Sequence, residues 1–315
     1  MTFIETIQSG QPVLTEGAMV ERIRRNPAVE LDPDIAHAGL VYSDSGRKAL
    51  AQIYQQYLSI GQRHNLPMLT LAPTWRANPE RIAKAGYGPV DHLNRDCVEF
   101  LKEIRAGYGS YQERLFLAGM LGCRNDAYKP QEALAAEEAE QFHGPQVEAL
   151  AASGVDFIKA ATLPAVSEAL GIARAISRTR ISGVLSFVIR PDGTVLDGTP
   201  LHAAVARIDS STDRPPAFYM VNCVHPKVFM QAMTAESAAD SKLTERVFGF
   251  QGNTSTKSPE ELDNLPYLDT TEPESFADLM MQIHGTFGTR VLGGCCGTDD
   301  SHIAQVAARM AKETP

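Results

Sequence analysis

The sequence contains few cysteines, a single tryptophan and no long apolar run. Its 315 residues include five cysteines and one tryptophan. A small, odd number of cysteines argues against the disulfide framework of small secreted proteins, so we expect a reducing, cytoplasmic setting. No run of about 18 apolar residues occurs, and no transmembrane helix is predicted. The N-terminus also lacks the basic and then apolar pattern of a signal peptide.

The sequence also has fewer basic than acidic residues. Lys and Arg total 29 against 38 Asp and Glu, which gives a formal net charge of -9 at pH 7. This deficit disfavours binding to nucleic acid or to anionic membrane surfaces, and it is compatible with a cationic small-molecule substrate. Hydrophobic residues make up 43% of the chain, which is enough for a large buried core.

Short apolar runs alternate with helical patterns along the whole chain. Strands are predicted near residues 13–14, 68–71, 115–118, 155–158, 184–188, 218–221, 247–250 and 290–292. Residues 50–58 place their apolar side chains on one helix face, and this helix is expected to end before Pro67. Eight strands alternating with helices predict an α/β fold, the (β/α)8 or TIM barrel, as a single domain over residues 1–315.

Three further segments are interpreted from their composition. Residues 21–48 have polar turns and prolines and are expected to connect elements across one barrel end. Residues 252–271 are rich in Ser, Thr, Pro and acidic residues, which predicts a surface loop. A helix is expected to open at Pro164, since proline is tolerated in a first helical turn, and residues 302–312 are predicted to form the last helix.

Three cysteines lie where the sixth and eighth strands are predicted to end. Cys223 follows the run 218–221, while Cys295 and Cys296 follow the run 290–292 and two glycines. Active groups of such barrels lie at the C-terminal ends of the strands, so we expect these three side chains to meet. Three thiolates fill three corners of a tetrahedral zinc and leave the fourth open, which is the arrangement of a catalytic site.

The glycines around the cysteine pair have a predicted role. Neighbouring residues of a strand point in opposite directions, so the backbone has to turn sharply for Cys295 and Cys296 to face one ion. Gly293, Gly294 and Gly297 are expected to supply the permissive torsions for this turn.

Two other interpretations of the cysteines stay open. A buried free cysteine is ordinarily a small apolar residue, and we interpret Cys97 and Cys123 in this way. Cys295 and Cys296 could instead form a reversible disulfide, which predicts no metal and a change in titratable thiols on reduction.

The cysteine motifs carry a resemblance to a known family. Gly-Gly-Cys-Cys-Gly-Thr at residues 293–298, together with Asn222-Cys223, resembles the homocysteine S-methyltransferases. This family includes betaine- and S-methylmethionine-dependent enzymes and the zinc module of methionine synthases. Weaker similarities follow earlier strands, at Gly17-Ala18-Met19, Thr74-Trp75, residues 119–122, residues 154–156 and Ser186-Phe187. The resemblance implies a zinc-binding barrel in which Cys223, Cys295 and Cys296 hold the metal.

The resemblance also implies an activity. A zinc-dependent S-methyltransferase would move a methyl group from a small onium donor, S-methylmethionine or betaine, to homocysteine or a related thiol in methionine biosynthesis. Betaine enzymes are usually longer than this chain, which favours a sulfonium donor. Zinc is the implied cofactor, the thiol and the cationic donor are the implied partners, and a homo-oligomer is compatible with the pattern. The implied substrate-binding residues are Glu16, Gly17, Thr74, Trp75, Thr162 and Asn222.

The chain departs from the family pattern at three places. Glu16 stands where the family usually has aspartate, and Val20-Glu21 replaces Gly-Thr. Ala161-Thr162 replaces Glu-Thr, whose glutamate helps to hold the amino group of homocysteine in the family. We expect the longer Glu16 side chain to take over part of this role. Two alternatives remain open: the same chemistry on a thiol without an amino group, or a barrel that binds zinc without catalysis.

Overall fold

The computed structural model describes residues 1–257 and 270–313. Its centre is a closed barrel of eight parallel strands, in which each strand pairs with the next and the first pairs with the last. The predicted fold class is confirmed, and a strand lies at each of the eight predicted places, although the fourth begins two residues later than predicted and extends to Leu163. The strands are β1 (Val13–Thr15), β2 (Met68–Leu71), β3 (Leu115–Leu121), β4 (Phe157–Leu163), β5 (Gly183–Phe187), β6 (Phe218–Asn222), β7 (Val247–Gly252) and β8 (Val291–Gly294).

Helices follow the strands and cover the outside of the barrel. In the part of the chain that the structure describes, they are α1 (Phe3–Gln8), α2 (Val20–Arg24), α3 (Asp44–Arg63), α4 (Pro79–Lys84), α5 (Val90–Ala106), α6 (Ala136–Ala152), α7 (Val166–Ser177), α8 (Leu201–Ser210), α9 (Pro226–Ala239), α10 (Pro273–Phe287) and α11 (Asp300–Glu313). Short 3₁₀ turns span Ala38–Tyr42, Gly109–Arg114, Pro130–Glu132 and Ser241–Glu245. None of these helices is long and apolar enough to cross a membrane.

Helix α1 closes the N-terminal end of the barrel. The ring of Phe3 stacks on that of Phe157 with centroids 4.2 Å apart, and Ile7 packs in the same apolar cluster. Arg290 at the start of β8 donates a hydrogen bond of 2.7 Å from Nη1 to the Ile7 carbonyl. The lower half of the barrel is therefore apolar and sealed, a role for the first residues that the sequence analysis did not foresee.

Several boundaries differ from the expectations. Helix α3 ends at Arg63, ahead of Pro67 as predicted. Helix α7 begins at Val166 rather than at Pro164, whose carbonyl accepts a hydrogen bond of 3.1 Å from Asp197 N in the loop after β5. In the predicted surface loop 252–271, residues 252–255 are buried, whereas residues 258–269 lie outside the described part of the chain.

Candidate metal centre

The structure brings the three predicted cysteines together at the C-terminal end of the barrel. The sulfur atoms of Cys223, Cys295 and Cys296 all lie within 4.8 Å of one another. The Cys223 and Cys296 sulfurs are 3.5 Å apart. Cys223 is buried, whereas Cys296 is exposed. Among the described residues, no other group of three His, Cys, Asp or Glu side chains is close enough to hold a metal ion.

The backbone turn that aims these sulfurs is made differently from the prediction. Cys223 itself adopts a left-handed conformation with φ of 62°, and Gly297 has φ of 80°. Gly293 and Gly294 have no left-handed torsion, so the role predicted for them is wrong. A Cβ at Gly293 would collide with Thr15. Glycine at the end of β8 is therefore needed for close packing of neighbouring chain segments, and not for torsional freedom.

Two hydrogen-bonded links tie the loop after β1 to the cysteine loop. The Thr298 hydroxyl donates to the Cys295 carbonyl at 2.7 Å and accepts from Ala18 N at 3.1 Å. Gly297 N donates to a carboxylate oxygen of Glu21 at 2.6 Å. Glu21, one of the departures from the family pattern, thus holds the cysteine loop. Sequence reasoning had assigned it no function.

The three neighbouring thiols favour one thiolate, on Cys223, rather than three. Hydrogen bonds from Cys295 and Cys296 hold the pKa of Cys223 well below its ordinary value. The phenol of Tyr128, 3.1 Å from the Cys223 sulfur, favours the same thiolate. The hydrogen bond to Cys223, followed by charge repulsion from the neighbouring sulfurs, raises the pKa of Cys296 well above its ordinary value. A divalent cation would offset this repulsion, and three sulfurs suit the soft coordination chemistry of zinc.

A cavity of about 140 Å³ lies directly beside the sulfurs. This volume suits a small molecule, since pockets for drug-sized ligands are larger. Its wall includes all three cysteines and most of the predicted substrate-binding residues, namely Glu16, Gly17, Trp75, Thr162 and Asn222. Thr74 is not on this wall: its hydroxyl donates to the Met120 carbonyl at 2.6 Å and accepts from Met120 N at 3.1 Å. Thr74 therefore joins β2 to β3 behind the cavity.

Trp75 has one aromatic face already covered. The guanidinium carbon of Arg76 lies 4.2 Å from the ring centroid. The indole Nε1 is buried without a hydrogen-bond partner among the described residues, and it packs against Gly122. A cationic ligand in the cavity can therefore meet only the uncovered face of this ring.

Asn222 fixes the end of β4. Its Oδ1 accepts hydrogen bonds from Thr162 N at 3.0 Å and from the Ser186 hydroxyl at 2.6 Å. Its Nδ2 donates to the Thr162 hydroxyl at 2.9 Å. Thr162 has φ of 60°, an unusual conformation for a β-branched residue. Because the Asn222 amide is bonded at both ends, it positions Thr162 and the adjoining Cys223.

Two buried ionisable groups lie below the sulfurs. Glu16 accepts hydrogen bonds from the Thr70 hydroxyl at 2.9 Å and from Leu71 N at 3.1 Å, and burial raises the pKa of its carboxyl to about 7. Lys159 donates to the side-chain oxygen of Gln251, and burial lowers the pKa of its ammonium to about 8. These side chains form a polar layer between the apolar base and the cysteines.

Sequence reasoning missed Lys159, Tyr128, Gln251 and His37, which all lie on the cavity wall. A signal existed for Lys159, because it shares the inward face of β4 with Phe157 at alternate positions. A charged residue at such a position of a barrel strand points into the interior. Tyr128 and His37 lie on loops, where no periodicity reports the direction of a side chain.

Comparison with known proteins confirms the resemblance. The family model described as homocysteine S-methyltransferase matches residues 13–310. A homocysteine S-methyltransferase of Escherichia coli K12 is 25% identical over 252 residues, which cover 76% of this chain and 78% of the relative. The homocysteine S-methyltransferase YbgG of Bacillus subtilis is 25% identical over 314 residues, covering 94% and 93%. Betaine–homocysteine S-methyltransferase 1 of Danio rerio is 20% identical over 324 residues, covering 98% and 76%.

Solved structures share the fold. The homocysteine methyltransferase MmuM of Escherichia coli in its metallated form superposes with a TM-score of 0.76 at 22% identity, covering 97% of this chain and 98% of the other. Its oxidised form gives a TM-score of 0.77 at 21% identity, covering 97% and 99%.

Proposed function

The chain belongs to the homocysteine S-methyltransferase family, and from this premise we propose that it transfers a methyl group from a small onium donor to a thiol with the help of zinc. The observation that carries the proposal is the cluster of three sulfurs, within 4.8 Å of one another, at the wall of a small cavity. Homocysteine is the acceptor named for the relatives, and we propose it as an acceptor here. MmuM, which has the same fold, has been crystallised in a metallated form.

Cys223, Cys295 and Cys296 are the proposed metal ligands. The donor set fits zinc, because three thiolates on a divalent cation carry a formal charge of about -1 and leave one coordination position open. The bound zinc would supply Lewis acidity that lowers the pKa of an incoming thiol and favours its thiolate at neutral pH.

The methyl transfer itself needs few protein groups. A carbon–sulfur bond forms to the acceptor while the donor's bond from carbon to its positive sulfur or nitrogen breaks. The bonding electron pair stays on the donor, which leaves as a neutral thioether or amine, and the thiol proton is lost to solvent. The protein contributes by placing the two reactants in line within a closed space. We propose that the wall formed by Glu16, Gly17 and Thr162 orients the acceptor.

The local charge favours a cationic donor. The sulfur cluster remains negative with the metal bound, so a positive sulfonium or quaternary ammonium is attracted to it. Trp75 and Tyr128 contribute aromatic side chains to the cavity wall, and Arg76 covers one face of the Trp75 ring. We propose a sulfonium such as S-methylmethionine or a quaternary ammonium such as betaine as the donor, since both donor types are named for the relatives.

The test combines metal analysis with methyl transfer assays. We expect about one zinc per chain, and methionine formation from homocysteine with S-methylmethionine or betaine. Cys296→Ser is expected to lose both zinc and activity. Cys123→Ser is the matched control, because Cys123 is buried and lies outside the cluster. Bound zinc without turnover for any donor and thiol would instead indicate a non-catalytic barrel, and a metal-free protein with a reversible Cys295–Cys296 disulfide would indicate a redox role.

A further inference from the structure

The charged groups of the cavity favour recognition of the acceptor's carboxylate, whereas the family pattern implies recognition of its amino group. We propose that Lys159 binds a carboxylate of the acceptor, so that the acceptor class is mercaptocarboxylates and an α-amino group is dispensable. The inference rests on the proposed function, because it concerns the substrate of the same site.

Lys159 is an inward residue of β4. Its side chain is 1% exposed and lies on the cavity wall. The hydrogen-bond partner of its ammonium is the neutral amide oxygen of Gln251, and among the described residues no carboxylate forms an ion pair with it. A buried charge is costly unless a partner compensates it. Cys295 and Glu16 act on this ammonium through charge alone, so an anionic group of a substrate would be its first hydrogen-bonded ion partner.

The floor has fewer groups that can hold an ammonium than the family pattern implies. Ala161, two residues further along β4, removes the carboxylate that the resemblance places there. Glu16 is the other acidic residue deep in the cavity, and one oxygen of its carboxylate accepts hydrogen bonds from the Thr70 hydroxyl and Leu71 N. Its raised pKa further reduces its charge at neutral pH. The floor of the cavity thus presents the positive charge of Lys159 to the substrate. It carries little negative charge that could bind an ammonium group of the substrate.

A rival explanation uses the same lysine without any substrate contact. The charges of Cys295 and Glu16 act on Lys159 and favour its ammonium form, so Lys159 could merely balance these anionic groups. Such a role would affect every thiol acceptor equally. Direct binding would affect only acceptors that carry a carboxylate. The two explanations therefore differ in which acceptors lose activity when Lys159 is replaced, and a change in rate with a single acceptor does not separate them.

The experiment removes one group of homocysteine at a time. With the zinc-loaded enzyme and one donor, kcat/KM is measured for homocysteine, for 4-mercaptobutyrate, which lacks the amino group, and for 3-aminopropanethiol, which lacks the carboxylate. We expect 4-mercaptobutyrate to be used at least as well as homocysteine. We expect 3-aminopropanethiol to be about a hundredfold worse, as for the loss of a buried hydrogen bond to a charged group. A large loss on removing the amino group would overturn the inference.

A variant assigns the effect to the lysine. Lys159→Met keeps the side-chain length and removes the charge, and the preference for 4-mercaptobutyrate over 3-aminopropanethiol is expected to shrink at least about tenfold. Lys84→Met, at an exposed lysine, is the control and should leave the preference unchanged. A uniform loss for all acceptors in Lys159→Met would support charge balancing and overturn direct binding.

An equilibrium measurement separates this inference from the proposed function. The thioether products need no thiolate, so calorimetry can compare binding of 4-(methylthio)butyrate and 3-(methylthio)propylamine to the wild-type protein. Tighter binding of the carboxylate supports the anchor, and equal binding or tighter binding of the amine contradicts it. If no thiol is methylated at all, the proposed function is wrong. If turnover occurs but depends on the amino group of the acceptor, the proposed function is supported and only the role of Lys159 is wrong.

Discussion

Burial of Glu16 predicts a pH-dependent cost to the folded protein. Its side chain is 4% exposed, and burial raises the pKa of its carboxyl from 4.5 to about 7. Glu16→Gln removes the ionisation and keeps an oxygen that can accept the hydrogen bonds from the Thr70 hydroxyl and Leu71 N. We therefore expect the variant to match the wild type at low pH and to exceed its stability at high pH.

The sign and the size follow from proton linkage. Below pH 4.5 both the folded and the unfolded chain hold the proton, so Glu16 makes no difference to stability. Between pH 4.5 and about 7 the unfolded chain releases its proton while the folded chain retains it, so the stability falls as the pH rises. Above about pH 7 the loss is complete, and the gap between the two pKa values corresponds to about 3 kcal/mol.

The assay is urea unfolding of both proteins at several pH values from 5 to 8.5. The free energy of unfolding of Glu16→Gln minus that of the wild type should be small at the acidic end and should rise to about 3 kcal/mol at the basic end. Both proteins are titrated in the metal-free form, so that zinc loss at low pH does not enter the difference. A difference that is the same at every pH would refute the argument, because it would mean that Glu16 ionises in the folded protein as it does in water.

Three further predictions concern the metal centre. Gly297→Ala should lower the free energy of unfolding by about 1–3 kcal/mol, because Gly297 has a left-handed torsion and an added Cβ would collide with Thr254. The control is Gly144→Ala, at an open helical position, which should not destabilise the protein. Equal effects of the two substitutions in denaturant titrations would contradict this prediction. Tyr128→Phe removes the hydrogen bond to the Cys223 sulfur and should therefore raise the pKa of Cys223 and weaken zinc binding about tenfold. In a pH titration of the metal-free protein, thiolate absorbance should then appear at a higher pH than in the wild type. An unchanged onset would exclude the hydrogen bond. Removal of zinc by a chelator should lower the melting temperature and abolish methyl transfer, both restored by zinc, and full activity after removal would contradict a metal role.

The sequence predicted the barrel well because its strands are short apolar runs at regular intervals. It also predicted that three cysteines meet, since groups after parallel strands lie at the same end of the barrel. Of the three glycines predicted to supply the torsions of the cysteine loop, Gly297 does so. Gly293 and Gly294 instead pack closely against Thr15 and Thr298, which is a tertiary constraint that local sequence does not report. The hydroxyl of Thr74 joins two strands, and nothing in its local sequence distinguishes this from a role in substrate binding.

The proposed metal ligands and the proposed acceptor-binding groups lie on different parts of the barrel. The cysteines follow strands β6 and β8. Hydrogen bonds from Gly297 N to Glu21 of α2 and from Ala18 N to the Thr298 hydroxyl restrain the cysteine loop. The ionisable groups of the floor belong to strand β4 and the end of β1, and they face inward from a rigid wall. A change at position 161 or 159 alters the charge of the floor and does not touch the hydrogen bonds of the cysteine loop. We therefore expect that acceptor preference can change in this barrel without loss of metal binding, so the departure at Ala161 bears on the substrate more than on the chemistry.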